Sequence, residues 1–427
     1  MMKLTRRTLL ASTAALAAST AIRGAYAQSD AAATLRLQAF GGDAQLTAIK
    51  NAIARFNTKY PNVKVEVSID PIATGWGDYV TKVYSQFNSG NAQDVYGTAI
   101  ETFQSFASRG LFIPLDDYVK ANAGFSDFAP SLFEQSSYKG NIYYIPIGWS
   151  NIMINYNRDL FDKAGVAYPK EGWTWEEFRE VAKKLTVKDS AGNVTQFGYE
   201  VPNQNFFVQP WFFSNGTGVL NDDWTASNML DPKVTESLQF LYDLIHVDGV
   251  SPIPGKDTMD NQFMAGQVAM ISRGHWIVQN AKSAKLNMDV AIPPTKVSDT
   301  TVIGFGGYAV AKSSPNAELA KALITELTSV ETQTEEGEGG GGVPGRKSAA
   351  ETEGFLSFPP SANLYYQTLP HTKAVPSPAN FQEVEKIFIR YYTAMMAGEV
   401  SIADGVKQAD EELNASFARL KQQQNGA

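Results

Sequence analysis

Residues 141–161 read NIYYIPIGWSNIMINYNRDLF, and the account of this stretch decides the account of the chain. It opens as a strand does, with Ile142, Tyr143, Tyr144 and Ile145, then sets Pro146 and Gly148 among the strand formers beside Trp149. Apolar residues resume at Ile152, Met153 and Ile154, and a polar turn occupies 155–158. A proline removes a ladder donor, and a glycine inside a strand marks a bulge or a close backbone approach. The run is therefore extended but interrupted at its centre, and its own residues do not say why.

The flanking sequence is more regular. Residues 34–40 read as a short strand and 41–43 as a Gly-Gly-Asp turn; Leu46, Ile49, Ile53, Phe56 and Tyr60 then recur at helical spacing until Pro61 stops them. Val63, Val65, Val67 and Ile69 alternate as a second strand. Strand, helix, strand implies a parallel sheet and an α/β class, in which ligands bind beyond the strand carboxyl ends. The 41–43 turn lies at such an end. Further on, 94–98 reads as a strand leading into a helix. Thr174-Trp175-Glu176-Glu177 is a capping box ahead of a stripe of Phe178, Val181 and Leu185. Later stripes are Leu238, Leu241 and Ile245; Leu319, Leu323 and Leu327; and Ile402, Val406, Ala409, Leu413, Phe417 and Leu420. Between them, 302–311 is strand-like yet holds Gly304, Gly306 and Gly307, while 335–345 is glycine-rich and 340–348 reads as a flexible crossover with a polar end.

With 427 residues the chain has room for two domains of ordinary size. Lys3, Arg6 and Arg7 precede an apolar, small-residue stretch over 9–22, and Ala25-Tyr26-Ala27 is a cleavage site, so 1–27 is expected to be an export signal. Its Thr5-Arg6-Arg7-Thr8-Leu9-Leu10 resembles the twin-arginine motif. Losing the four basic residues of this leader moves the formal net charge from −8 to −12, which disfavours nucleic acid and anionic membranes as partners. The chain has no cysteine, which removes disulfides, thiol catalysis and the acceptor of a lipoprotein anchor. The expected product is a soluble, exported protein.

Catalytic patterns fail one by one. His246, His275 and His371 match no zinc spacing, and no G-x-S-x-G elbow occurs. The run 340–348 has a lysine displaced from where a phosphate loop requires it. The acidic pairs Asp116/Asp117, Asp222/Asp223 and Glu335/Glu336 read as caps, turns or solvated faces, since adjacent residues point different ways. No enzyme, metal or cofactor is expected.

Three blocks, 138–146, 154–165 and 173–178, together with 110–119, 263–276 and 304–310, resemble in order and spacing the family 1 extracellular solute-binding proteins, the maltose-binding-protein-like receptors of bacterial ABC importers. The resemblance implies a two-lobe, type II-like periplasmic binding fold, its α/β lobes joined by crossing hinge segments around a ligand cleft. By that resemblance 141–161 passes from the first lobe to the second, Pro146 and Gly148 shaping the crossing and Trp149 facing the cleft. The first lobe would hold 28–147 and 294–342, the second 148–293 and 343–427.

It also implies a periplasmic monomer that hands a carbohydrate or related polyol to an ABC permease; a secreted carbohydrate-active enzyme and a sensor subunit are the rivals. A pyranose offers apolar C–H faces to aromatic rings and hydroxyls to paired donors and acceptors. Candidate rings are Trp76, Trp149, Trp211, Trp276 and Tyr308; Gly306 and Gly307 offer backbone amides, Arg346 a planar fork, and Asp43 and Thr98 first-lobe polar contacts. For export, Arg6→Lys/Arg7→Lys is expected to leave precursor in the cytoplasm, checked by fractionation; normal export of the double variant would rule the twin-arginine route out.

Overall fold

The computed structural model describes residues 32–70, 72, 76–255 and 259–425, so the leader and its arginine pair lie outside the described residues. Strand Ala33–Phe40 buries Leu35, Leu37 and Ala39, and helix Asp43–Lys59 lays Ala48, Ile49, Ala52 and Phe56 into the same core before it ends at Tyr60. Strand Val63–Asp70 then pairs in parallel with the first, Ala33 opposite Val63 and Phe40 opposite Asp70. Strand Val95–Ala99 joins the other side, also parallel. Thr301–Val310 runs antiparallel to it and to Ile145–Asn151, while Val343–Pro344 forms an edge and Thr372–Ala374 lies along the start of Thr301–Val310. These strands make one seven-stranded sheet.

A second sheet has Met153–Asn157 at its centre, antiparallel to Met270–Arg273 on one side and Met288–Ala291 on the other. Only Ile152 separates it from the first. The Ile152 amide donates to the Val302 carbonyl at 3.3 Å, and its carbonyl accepts from the Thr301 hydroxyl at 2.7 Å. One extended segment thus leaves one lobe and enters the other within a single residue, giving a two-lobe α/β fold. The crossing expected at 147/148 falls inside a strand that stays in the first sheet as far as Asn151.

The proline and glycine in this strand now have a cause. Its register against Thr301–Val310 shifts between Gly306, opposite Gly148, and Gly307, opposite Pro146, which leaves Ile147 as the extra residue of a bulge. Pro146, which has no amide to donate, sits where the ladder is already broken. A Cβ on Gly148 would stand 3.0 Å from the Val343 carbonyl oxygen, and one on Gly307 would run into the Ile145 carbonyl.

The glycine-rich 335–345 is packed, contrary to the flexible crossover expected over 340–348. Helix Val330–Glu338 takes in Gly337, where a Cβ would lie 2.6 Å from Pro344 Cγ; Gly340, at φ +85°, presses on the Gln279 amide. The Gln45 side chain fills the space beside Gly341 and donates to its carbonyl at 2.9 Å.

The capping box forms as read: the Glu177 amide donates to the Thr174 hydroxyl at 3.2 Å, and the Thr174 amide to the Glu177 carboxylate at 2.7 Å. Helix Trp175–Leu185 buries Trp175, Phe178, Ala182 and Leu185; Val181, placed on the stripe by spacing, is half-buried. Helices Phe381–Met396 and Ile402–Asn425 pack on each other and on Pro232–His246, and the former also touches Ile100–Ala107 and Asn205–Phe213. It therefore reaches both lobes where they meet. Among the described residues no helix is long and apolar enough to cross a membrane.

Gly307→Ala must displace a neighbouring strand, so it is expected to cost about 1–3 kcal/mol of stability. Gly77→Ala, in a helix with open space around it, is expected to gain about 0.5–1 kcal/mol. Urea unfolding of the two variants checks both signs.

Candidate ligand cleft

A cleft of about 570 Å³ opens between the two lobes. The first lobe lines it with Phe40, the 41–42 turn, Gln45, Trp76 and Glu101; the crossing strand adds 147–150, and the long strand adds Gly304, Phe305 and Gly306. Gln204, Asn205, Phe206, Phe207, Asp260 and Trp276 form the opposite wall, and Glu336 and Glu385 close the sides. The first parallel strand ends at Phe40, and the following turn meets the cleft beyond that carboxyl end, where the sheet type places ligands.

Each wall is held from behind. Trp76 stands edge-on to Phe40, with ring centroids 5.1 Å apart. Across the cleft Trp276 stacks on Phe207 at 5.8 Å and 28° and lies 6.2 Å from Phe206. Behind Phe207 the buried Arg273 guanidinium sits 4.7 Å from the ring, fixed by Glu200 at 2.6 Å and Asp260 at 2.7 Å. Gly274 leaves room for the Trp276 ring to fold over the backbone, and the His275 amide donates to the Ser150 hydroxyl at 2.8 Å, tying this turn to the crossing strand. A Cβ on Gly304 would lie 2.8 Å from Phe206, and one on Gly306 2.7 Å from Phe40. Those glycines make space for rings.

The electrostatics of the cleft are one-sided. Burial pushes the Glu101 carboxyl up to about 8, repulsion from Glu385 adds to this, and a hydrogen bond from the Trp76 indole opposes it. Burial also lifts Glu385 to about 7, and Glu336 to about 7 against a hydrogen bond from Gln45. Asp260 has Arg273 as its counter-charge. Among the described residues no lysine, arginine or histidine lines the cleft. His275, next to it, is buried against Phe355 and Tyr365 with its ring nitrogens unpartnered, and burial drops it to about 3, so it is neutral.

Of the residues singled out from sequence, Trp76, Trp149, Trp276 and Gly306 line the cleft, and six do not. Trp211 lies in the second-lobe core between Trp175, Phe178 and Tyr199, its indole donating to the Tyr199 hydroxyl at 3.2 Å. Tyr308 is buried in the first-lobe core, and the Thr98 hydroxyl is buried against that of Thr102 at 2.9 Å. Gly307 faces the Ile145 carbonyl, and Asp43 is exposed in the first turn of its helix. Arg346 is buried over Phe128 at 4.5 Å and donates to the Thr328 and Gly124 carbonyls, so its fork is spent inside the protein. Trp149 is itself only 2% exposed, and its indole donates to the Pro344 carbonyl at 3.2 Å, which makes it as much core as wall.

Sequence reading missed Phe206, Phe207, Glu101 and Glu385. The first two sit in Gln204-Asn205-Phe206-Phe207, a polar-then-aromatic run at a helix start that periodicity reads as ordinary packing. The two acids are single carboxylates on helices remote in sequence, with no local signal.

Two α/β lobes around a deep, aromatic-walled cleft, with the chain crossing between them, define a two-lobe binding protein. The chain belongs to the bacterial extracellular solute-binding protein family, which it matches over residues 51–359. A binding protein of Brucella abortus is 24% identical over 346 residues, 78% of this chain and 80% of its own. The ABC substrate-binding protein of Listeria monocytogenes, solved in complex with cycloalternan, superposes with a TM-score of 0.82 at 23% identity, covering 91% of this chain and all of the other. An ABC transporter solute-binding protein of Thermotoga lettingae bound to α-D-tagatose gives 0.79 at 24%, covering 90% and 99%.

The acids set a pH dependence. In the folded protein Glu101, Glu336 and Glu385 hold protons above the ordinary carboxyl value of 4.5, so folding takes up protons as pH rises past that value. Their favourable contribution is complete below about 4.5 and is lost as pH climbs through 7 to 8. The ligand-free protein is expected to lose Tm between pH 5 and pH 8, and Glu101→Gln to flatten that slope in thermal melts.

Proposed function

We propose that this chain is the periplasmic binding component of an ABC importer, taking a carbohydrate or related polyol into the cleft between its lobes and presenting it to the permease without catalysis. One observation carries the reading: Trp276, stacked on Phe207 and backed by Arg273, faces the Phe40–Trp76 pair across a cleft also lined by Gln45, Ser150, Asn205 and carboxylates. Ring faces meet sugar C–H surfaces while carboxylates and amides take hydroxyls. The volume lies in the usual range for small-molecule sites. The saccharides bound by the Listeria and Thermotoga proteins support the same ligand class.

In this reading the two lobes, between which the chain passes at Ile152, close on ligand about the extended crossings, and the exported protein works as a monomer. The 1–27 segment serves as its leader. Glu101 and Glu385 also favour a second reading. Two raised carboxyls in an aromatic cleft could serve as acid and base for glycoside hydrolysis, and product release from a glycoside panel would establish that instead.

Trp276→Ala is expected to weaken saccharide binding by about tenfold or more while moving Tm little, because the ring is half-exposed and contributes stacking. Trp211→Ala, in the core, is expected to lose about 3–5 kcal/mol of stability while its folded fraction binds normally. Titration calorimetry beside thermal melts separates the two; undiminished affinity in Trp276→Ala would remove the stacking platform from the site.

A further inference from the structure

Two carboxyl groups of the cleft, Glu101 and Glu385, have no counter-charge among the described residues. Glu101 opens helix Ile100–Ala107 and Glu385 lies in helix Phe381–Met396; the two helices pack together, and both side chains line the cleft. Glu101 receives hydrogen bonds from its own backbone amide and from the Trp76 indole and lies beside the bare backbone of Gly304, where a Cβ would stand 3.5 Å from its Oε1. Glu385 has no hydrogen-bond donor among the described residues. Phe206 fills the space over Gly304, and the same cleft is lined by Phe381 and Val375 and by the neutral polar Gln204 and Asn205. Asp260 is the contrasting case, since Arg273 neutralises it from behind at 2.7 Å. Of the four cleft carboxyl groups the protein matches a cation to Asp260, bonds Glu336 to the Gln45 amide, and leaves Glu101 and Glu385 facing the ligand space.

Resting on the saccharide reading above, we propose that the cleft selects an amino saccharide, its protonated amine held between Glu101 and Glu385 and its ring faces covered by Trp276 and Trp76. A neutral sugar closing over these groups brings no charge of its own, so Glu101 and Glu385 either keep a proton or stay ionised with hydroxyl dipoles added to the few donors the protein gives Glu101. An ammonium supplies the missing charge and up to three donors in one group. The raised proton affinity of both carboxyls in the ligand-free protein has the same origin: the positive charge they lack there is one that a proton or a ligand can provide.

The test is calorimetric titration of the mature chain at pH 7 and low salt with matched pairs: glucose against glucosamine, and cellobiose against its 2-amino-2-deoxy counterpart, the β-1,4-linked glucosamine disaccharide. N,N′-diacetylchitobiose serves as the uncharged, bulkier control. The amine is expected to bind at least tenfold more tightly than its neutral and acetylated partners, and 0.5 M salt to shrink that preference. Glu101→Gln and Glu385→Gln, which keep the side-chain shape, are each expected to cut the amine-to-neutral affinity ratio by ten- to a hundredfold.

Equal or tighter binding of the neutral sugars overturns the proposal and leaves the saccharide reading standing. So does a ratio unchanged in both Gln variants. Residues 256–258 include Lys256 and lie outside the described residues, so Lys256→Ala is run in parallel. A neutral preference in the wild type that turns into an amine preference in that variant would mean the protein supplies its own cation, and would also overturn the proposal. Failure of every neutral, acetylated and amino sugar to bind a folded protein would bring down the saccharide reading itself, and this inference with it.

Discussion

Ile152 joins a seven-residue strand of one sheet to a five-residue strand of another, and the geometry of the cleft depends on that junction. Side chains alternate along a strand, so a slip of one residue in either pairing would exchange the faces on which Trp149 and Ser150 stand and displace both from their present partners. Both registers are pinned. On one side the bulge at Ile147 absorbs Pro146 and brings Gly148 under the Val343 carbonyl; on the other, Met153–Asn157 is fixed between two antiparallel partners. The lobes hinge about a segment whose own conformation is set at both ends.

The cleft built on this crossing combines rigid aromatic walls with poorly solvated acids. Arg273 shows how the rigidity arises: wholly buried, bonded to Glu200 and Asp260, it lies under Phe207, which lies under Trp276. A charge buried with two carboxylate partners keeps a fixed position, and the rings stacked above it inherit that position. The glycines of the long strand play the complementary part. Gly304 and Gly306 provide the floor into which Phe206 and Phe40 fit, so the backbone makes room for rings where direct amide contact with ligand had been expected.

Much of this was legible in the residues. The opening strand–helix–strand unit, the Thr174 capping box and the C-terminal stripe from Ile402 to Phe417 follow from local periodicity and local hydrogen bonds, which act over a few residues and leave their pattern in the chain. The interruption at Pro146 and Gly148 marked the bulge at Ile147, ahead of the crossing at Ile152, since a proline removes a ladder donor and a glycine admits close backbone approach wherever they stand. Trp76, Trp149 and Trp276 could be singled out as rings lying off the helical stripes.

Other features were settled by residues far apart in sequence. Arg346 and Trp211 have the chemistry of ligand contacts, and nothing local distinguishes a fork facing solvent from one closed on the Thr328 and Gly124 carbonyls. The glycine run 337–342 looked pliable by composition and is packed because Pro344, Gln279 and Gln45 press against it. Glu101 and Glu385 meet only because two helices from distant parts of the chain pack together. The sequence by itself determined the α/β class, the interrupted extended segment and the supply of aromatic rings, because each is written in contiguous residues. Tertiary structure alone decided which rings face the cleft, which acids share it and which cations are withheld from it, because burial and charge pairing depend on what surrounds a side chain in space.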